Sequence, residues 1–165
     1  MITHIEGKAF VYGANVDTDQ IYPGRFLELL EEQDVALHAM EGIDPEFIKN
    51  FKHGDIIVAS TNFGCGSSRE QAAAALKTVG VGAIVAESFA RIFYRNAVNL
   101  GILALVCRGL KAGRGDLLSI DLAASTLTNM SEGSKYAVEP LSSYALEILE
   151  AGGIKNLLKK RLNPV

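Results

Sequence analysis

The stretch Ile56-Ile57-Val58-Ala59-Ser60-Thr61-Asn62-Phe63-Gly64-Cys65-Gly66-Ser67-Ser68-Arg69-Glu70, running into Gln71-Ala72-Ala73-Ala74-Ala75-Leu76-Lys77, constrains the fold more than any other. It reads as a buried strand, a glycine-rich turn and a helix. The apolar run from Ile56 is short and β-branched, which suits a strand covered on both faces. Gly64 and Gly66 permit positive φ, so consecutive backbone N–H groups can point into one concavity. Ser67 or Ser68 is placed to cap the helix, Glu70 puts an acid in its first turn, and four alanines supply helix propensity. Together these features predict an anion-attracting helix N-terminus carrying two hydroxyls and a guanidinium.

Three common motifs do not fit this stretch. A dinucleotide fingerprint ends on a third glycine, and Arg69 stands in its place. A phosphate-binding P-loop needs G-K-[ST], and a nucleophile elbow needs G-x-S-x-G. A serine N-cap beside a solvated arginine is the plainer reading, and it stays open on these residues alone.

The 165 residues, 48% hydrophobic and 21% charged, predict one domain over 1–165 with a single core. A net charge of −3 gives no reason to expect nucleic acid or an anionic membrane surface as a partner. Cys65 and Cys107 are too few for a disulfide framework, and too few for a metal or cluster site of this chain's own. There is no basic region followed by an apolar run at the N-terminus, and no apolar run of membrane-spanning length. A soluble cytoplasmic protein is the expectation.

In chain order, Lys8–Tyr12 predicts a strand, and Asn15-Val16-Asp17-Thr18-Asp19-Gln20 a polar turn with Asx hydrogen bonds or, less simply, a cation loop. Residues 25–40 read either as a mobile flap or as an ordinary surface loop. Asp44-Pro45-Glu46 predicts the start of a short helix, with Asp44 as its cap and Pro45 in a favourable place. Val81–Ala86 predicts a second buried strand, Ser88 a cap for a helix through Asn99, and Leu103–Val106 a third strand. This rhythm implies parallel strands with right-handed crossovers. Arg91 and Arg95, at i and i+4, read as carboxylate ligands or as solvated helix charges. Beyond Arg108, residues 116–122, 126–128 and 136–138 read as antiparallel strands. A helix capped by Ser142 follows, then a Gly152-Gly153 break and a basic amphipathic end. His4, His38 and His53 lack ligand spacing and are taken as incidental.

Three segments together carry a family likeness: Asn62-Phe63-Gly64-Cys65-Gly66-Ser67-Ser68-Arg69-Glu70, then residues 86–101 (A-E-S-F-A-R-I-F-Y-R-N-A-V-N-L-G), and Asn15-Val16-Asp17-Thr18-Asp19-Gln20-Ile21-Tyr22-Pro23. They resemble the small subunits of 3-isopropylmalate dehydratase and its homoaconitase-type relatives in the aconitase superfamily, over about Gly7 to Gly153. The resemblance implies an α/β fold: a swivelling β/β/α domain like the mobile fourth domain of aconitases, with mixed parallel and antiparallel strands. It implies a heterodimer or heterotetramer with a large subunit that carries a [4Fe-4S] cluster. It also implies no cofactor or metal on this chain, and no activity without the partner.

The chemistry so implied removes a proton from carbon beside a carboxylate and expels a hydroxyl, which needs a strong base, anion stabilisation and a Lewis acid. The resemblance assigns the base, as an alkoxide, to Ser67. It gives a substrate carboxylate to Ser68 and Arg69, and borders the pocket with Thr18 and Asp19. Selectivity is assigned to the flap residues Arg25, Phe26, Leu27, Glu28 and Leu29. In tricarboxylate-using relatives an arginine follows the segment that ends at Leu27 here, and in isopropylmalate forms apolar residues follow it. Glu28 departs from both patterns; it would repel a third carboxylate, while Leu29 and Leu30 suit an alkyl group. The expected substrate is an alkylmalate, most simply isopropylmalate of leucine biosynthesis, with dimethylmalate, citramalate or homocitrate as alternatives. Two other classes stay open: a non-catalytic anion-binding module, and an enzyme using Cys65 as nucleophile.

Overall fold

The computed structural model describes residues 3–163. Its strands are β1 (His4–Val11), β2 (Ile56–Ala59), β3 (Ala83–Ala86), β4 (Ala104–Val106), β5 (Leu117–Asp121), β6 (Thr126–Asn129) and β7 (Ser134–Ala137). Its helices are α1 (Thr18–Ile21), α2 (Glu32–Ala36), α3 (Phe47–Asn50), α4 (Glu70–Val79), α5 (Arg91–Asn99), α6 (Ser143–Ala151) and α7 (Ile154–Leu162). No helix among the described residues is long and apolar enough to cross a membrane.

All seven strands join one sheet in the order β4-β3-β2-β1-β5-β6-β7. The β1–β4 half is parallel, and β5–β7 run antiparallel from the other edge of β1. The sequence therefore placed the change from parallel to antiparallel pairing correctly, beyond Arg108. β1 serves both halves. Its C-terminal part, Ala9–Val11, registers with β2, and its N-terminal part, His4–Lys8, with β5.

Two cores follow from the period-2 alternation of the central strands. Ile57, Ala59, Ile84 and Ala86 face α4 and α5, and meet Ala72, Leu76 and Phe93. Ile56, Val58, Ala83 and Val85 face the other way, onto Leu118, Ile120 and Leu127 of the antiparallel strands, which curl over them. Each fully buried isoleucine or leucine contributes about 1.5–3 kcal/mol. Alanine at 72, 73 and 75 serves packing as much as propensity, since all three are buried. α4 stops at Gly80, whose φ of 83° lets its N–H reach the carbonyls of Leu76 and Lys77.

Three expected caps need correction. Neither Ser67 nor Ser68 caps α4. The N-cap residue is Arg69 and makes no side-chain cap bond. Ser88 does not cap α5, because Phe63 and Phe89 form a parallel bridge that keeps this stretch extended and delays the helix to Arg91. The Ser88 hydroxyl instead accepts the Asn62 N–H at 2.8 Å. Asp44 does not cap α3 either, since its carboxylate accepts the Tyr12 hydroxyl and the Arg114 guanidinium, both at 2.7 Å. The Ser142 cap on α6 is present, accepting the Ala145 N–H at 3.1 Å.

Candidate active site

The loops that follow β1, β2 and β3 converge at the carboxyl ends of the parallel strands, where open α/β sheets place their ligands. Backbone hydrogen bonds weld these loops together. The Gly64 N–H donates to Val16 O at 2.7 Å, Thr18 N–H to Cys65 O at 2.8 Å, and Ala90 N–H to Phe63 O at 2.9 Å. The β2–α4 turn is kept tight by positive φ at Asn62 (60°), Gly64 (85°) and Gly66 (94°). Gly64 is obligatory on a second count, because a Cβ there would fall inside the Phe93 side chain.

The expected turn at 15–20 is a capped helical turn. The Asp17 carboxylate accepts the Gln20 N–H at 2.9 Å, and the Gln20 side chain accepts the Asp17 N–H at 3.0 Å. This reciprocal box aims Thr18, which is only 3% exposed, at the serine turn. Its hydroxyl donates to the Ser67 carbonyl at 2.7 Å.

A cleft of about 260 Å³ is lined by Thr18, Gly64, Gly66, Ser67, Ser68 and Arg69 on one side, and by residues 90–93 with Asn96 on the other. Four of the five residues expected at the site therefore line one cavity. The fifth, Asp19, holds Arg69 from behind. The Arg69 Nη1 lies 2.6 Å from Asp19 Oδ1 and 3.0 Å from the Tyr22 carbonyl. The Arg69 guanidinium, and then the Gly24 N–H, hold the exposed Asp19 carboxyl below its ordinary value. A larger cleft, of about 320 Å³, sits at the opposite ends of the strands between His53, Gly82 and Leu149, away from the serines.

None of the flap residues 25–29 lines the serine cleft. The flap begins as a 3₁₀ turn, Gly24–Phe26, and its side chains contact the rest of the chain. Phe26 stacks on His38 with ring centroids 3.5 Å apart, the Tyr22 hydroxyl donates to Phe26 O at 2.6 Å, and Arg25 pairs with Glu41 at 3.6 Å. His38, taken as incidental from the sequence, is thus a structural part of the flap and also pairs with Glu41. Leu29 packs against the core, whereas Leu30 is 90% exposed. The flap meets the site at Gly24, where an added Cβ would lie 3.2 Å from Arg69 Nη2.

The residues that sequence reasoning did not commit to the site are Arg91, Ile92, Phe93 and Asn96. The alternation of arginines at 91 and 95 was a signal for one of them, because Arg91 lines the cleft and Arg95 does not. Cys65 is half-buried beside the turn and is not among the lining residues. His4, His38 and His53 lie against Glu6, Phe26 and Gly80, so among the described residues the site offers Cys65 no histidine base. Cys65 and Cys107 do not amount to the ligand set a cluster needs, and no group of three metal-ligating side chains gathers among the described residues.

The family described as the aconitase C-terminal domain matches residues 7–109. A protein from Methanothermobacter thermautotrophicus named methanogen homoaconitase small subunit is 50% identical over 159 residues, covering 96% of this chain and 93% of the relative. The 3-isopropylmalate dehydratase small subunit of Pyrobaculum calidifontis is also 50% identical over 159 residues, covering 95% and 98%. A crystal structure of a 3-isopropylmalate dehydratase from Methanocaldococcus jannaschii superposes with a TM-score of 0.93 at 45% identity, covering 96% of this chain and 95% of that one. Its curled mixed sheet is the fold described above. The chain belongs to the aconitase C-terminal domain family, among the small subunits of the 3-isopropylmalate dehydratase and homoaconitase type.

Proposed function

We propose that this chain is the small subunit of a hydro-lyase that interconverts 2- and 3-isopropylmalate by dehydration and rehydration, with Ser67 as the base. The observation that carries this reading is the shared cleft of Thr18, Ser67, Ser68 and Arg69, with Arg69 braced by Asp19. Ser67 takes the proton from the carbon beside a substrate carboxylate and returns it in the reverse step. A free serine hydroxyl is a weak base, so its alkoxide needs the positive ends of local dipoles. The glycine-turn amides, the α4 N-terminus and Arg69 supply them. Ser68 and Arg69 hold the adjacent carboxylate, Arg69 through its planar fork.

Ser67 and Ser68 are exposed on this chain. Open to water, the cleft gives weak electrostatic stabilisation, and a docked large subunit would exclude that water. We therefore assign the chain a heteromeric complex, a heterodimer or heterotetramer, in which 1–165 moves as one swivelling unit. A [4Fe-4S] cluster on that partner would supply the Lewis acid that the departing hydroxyl needs. Two free cysteines and cluster chemistry fit a reducing compartment, which favours a cytoplasmic complex.

The identity to a relative named homoaconitase small subunit favours a second reading, a tricarboxylate substrate. Glu28 in the flap opposes it by charge. The experiment is anaerobic reconstitution with the large subunit, following alkene absorbance with isopropylmalate, dimethylmalate, citramalate and homocitrate. Activity only in the mixture and highest with isopropylmalate supports the first reading. A preference for homocitrate selects the second, and tight dicarboxylate binding without turnover leaves an anion-binding module.

A further inference from the structure

We propose that Arg91 is a second carboxylate-binding residue of the cleft, taking the substrate carboxylate that Ser68 and Arg69 do not hold. The inference rests on the hydroxy-acid reading above, in which the substrate carries two carboxylates.

The charged side chains lining the cleft are Arg69 and Arg91, one on each wall. They differ in what already meets their charge. Arg69 has a side chain only 19% exposed and is paired with Asp19. Arg91 is exposed and joins no ion pair or side-chain hydrogen bond among the described residues, whereas Arg108, Arg114 and Arg161 each have an acidic partner. Its guanidinium is therefore the cleft cation whose field is not cancelled within the chain.

The backbone adds to that field. The nine-residue α5 opens from Ala90 without a side-chain cap, so the first amides of the helix, at Arg91, Ile92 and Phe93, have no intrahelical partner and belong to residues that line the cleft. α4 also opens without a side-chain cap, at Arg69 on the facing wall. An anion with two charged ends can lie between these walls, one end toward Arg69 and one toward Arg91. Ile92, 46% exposed, puts apolar surface beside Arg91, which strengthens an ion pair formed there. Arg95, one turn along and outside the cleft, is the internal control.

The test uses the reconstituted complex with Arg91→Gln, Arg91→Lys and Arg95→Gln. It measures kcat, KM, large-subunit affinity, and inhibition by succinate and by isobutyrate. Arg91→Gln should raise KM about 10- to 100-fold, the worth of a hydrogen bond to a charged group. Succinate inhibition should weaken by the same factor, while isobutyrate inhibition, kcat and subunit affinity stay near native. Arg91→Lys should fall between, and Arg95→Gln should match the native complex. Unchanged succinate inhibition overturns the proposal, as do equal losses for both inhibitors or a loss confined to subunit affinity. Ser67→Ala in the same preparations separates the two claims. If it is inactive while Arg91→Gln behaves as native, only the Arg91 role fails. If it is fully active, Ser67 is not the base, and if the native complex turns over no hydroxy-acid, the reading on which this proposal rests fails.

Discussion

The hydroxyl of Thr18 donates to the main-chain carbonyl of Ser67 at 2.7 Å, joining residues 49 positions apart. This bond ties the capped turn after β1 to the serine turn after β2, and so fixes the height of Ser67 over the cleft. Thr18→Val keeps the volume and removes the donor. A neutral hydrogen bond contributes about 1 kcal/mol to stability. A misplaced base costs more in rate than the bond does in stability, because reactivity depends steeply on position. We expect kcat of the reconstituted complex to fall about tenfold or more while thermal unfolding shifts only a few degrees. Native kcat in Thr18→Val would contradict the positioning role.

The Asp19–Arg69 pair makes a statement about pH. The folded carboxyl titrates below its ordinary value of about 3.9, with Arg69 the largest cause. The sign is that of a depressed acid: the pair stabilises the site above the unfolded value and is lost as pH falls through the lower folded one. At neutral pH the brace on Arg69 is fully present. Carbon-detected titration of Asp19 by NMR should give a midpoint below 3.9 that returns toward it in Arg69→Gln. A midpoint that ignores the Arg69 change would show that the pair does not hold the carboxyl.

Gly64 combines a φ of 85° with the Phe93 side chain packed against its α-carbon. The left-handed backbone alone costs a larger residue about 1–3 kcal/mol, and the collision adds to it. Gly64→Ala should lower the melting temperature by roughly 2–4 °C per kcal/mol lost, several degrees at least. Gly54, also at positive φ but with open space around its α-carbon, is the comparison position. Equal losses at Gly64 and Gly54 would remove the packing argument.

The parallel half of the sheet and its crossovers were legible because Ile56–Ala59, Ala83–Ala86 and Ala104–Val106 are short apolar runs set between helical patterns. The G-S-S-R turn declared itself by its glycines. Cap positions were misplaced where a partner distant in sequence changed the local preference. Asp44 is drawn to Arg114, 70 residues away, and the Ser88 region is held extended by Phe63. Apart from the Arg91 and Arg95 spacing, the far wall of the cleft was illegible for the same reason. Nothing local to Arg91-Ile92-Phe93 says that the α5 N-terminus faces the α4 N-terminus, and only the order of strands β2 and β3 brings them together. His38 was passed over because stacking on Phe26 leaves no spacing signature.

The family resemblance puts selectivity in a flap whose residues 25–29 lie outside the serine cleft. The flap reaches the site through Gly24 against Arg69, through Tyr22, which bonds both Phe26 and Arg69, and through whatever the partner adds. Replacing the repelling acid by a cation, Glu28→Arg, should raise kcat/KM for homocitrate relative to isopropylmalate by about tenfold or more. Competition assays of the reconstituted complex read this ratio directly. A ratio unchanged by the charge reversal would move selectivity to the large subunit.

The most direct measurement is single-turnover proton exchange in the reconstituted complex with native chain and with Ser67→Ala. Isopropylmalate is supplied in deuterated water, and label at the carbon beside the carboxylate is followed by mass spectrometry. If Ser67 is the base, Ser67→Ala should bind the large subunit and substrate normally yet lose exchange and turnover together, by at least about 100-fold. Exchange at the native rate without the Ser67 hydroxyl would contradict it.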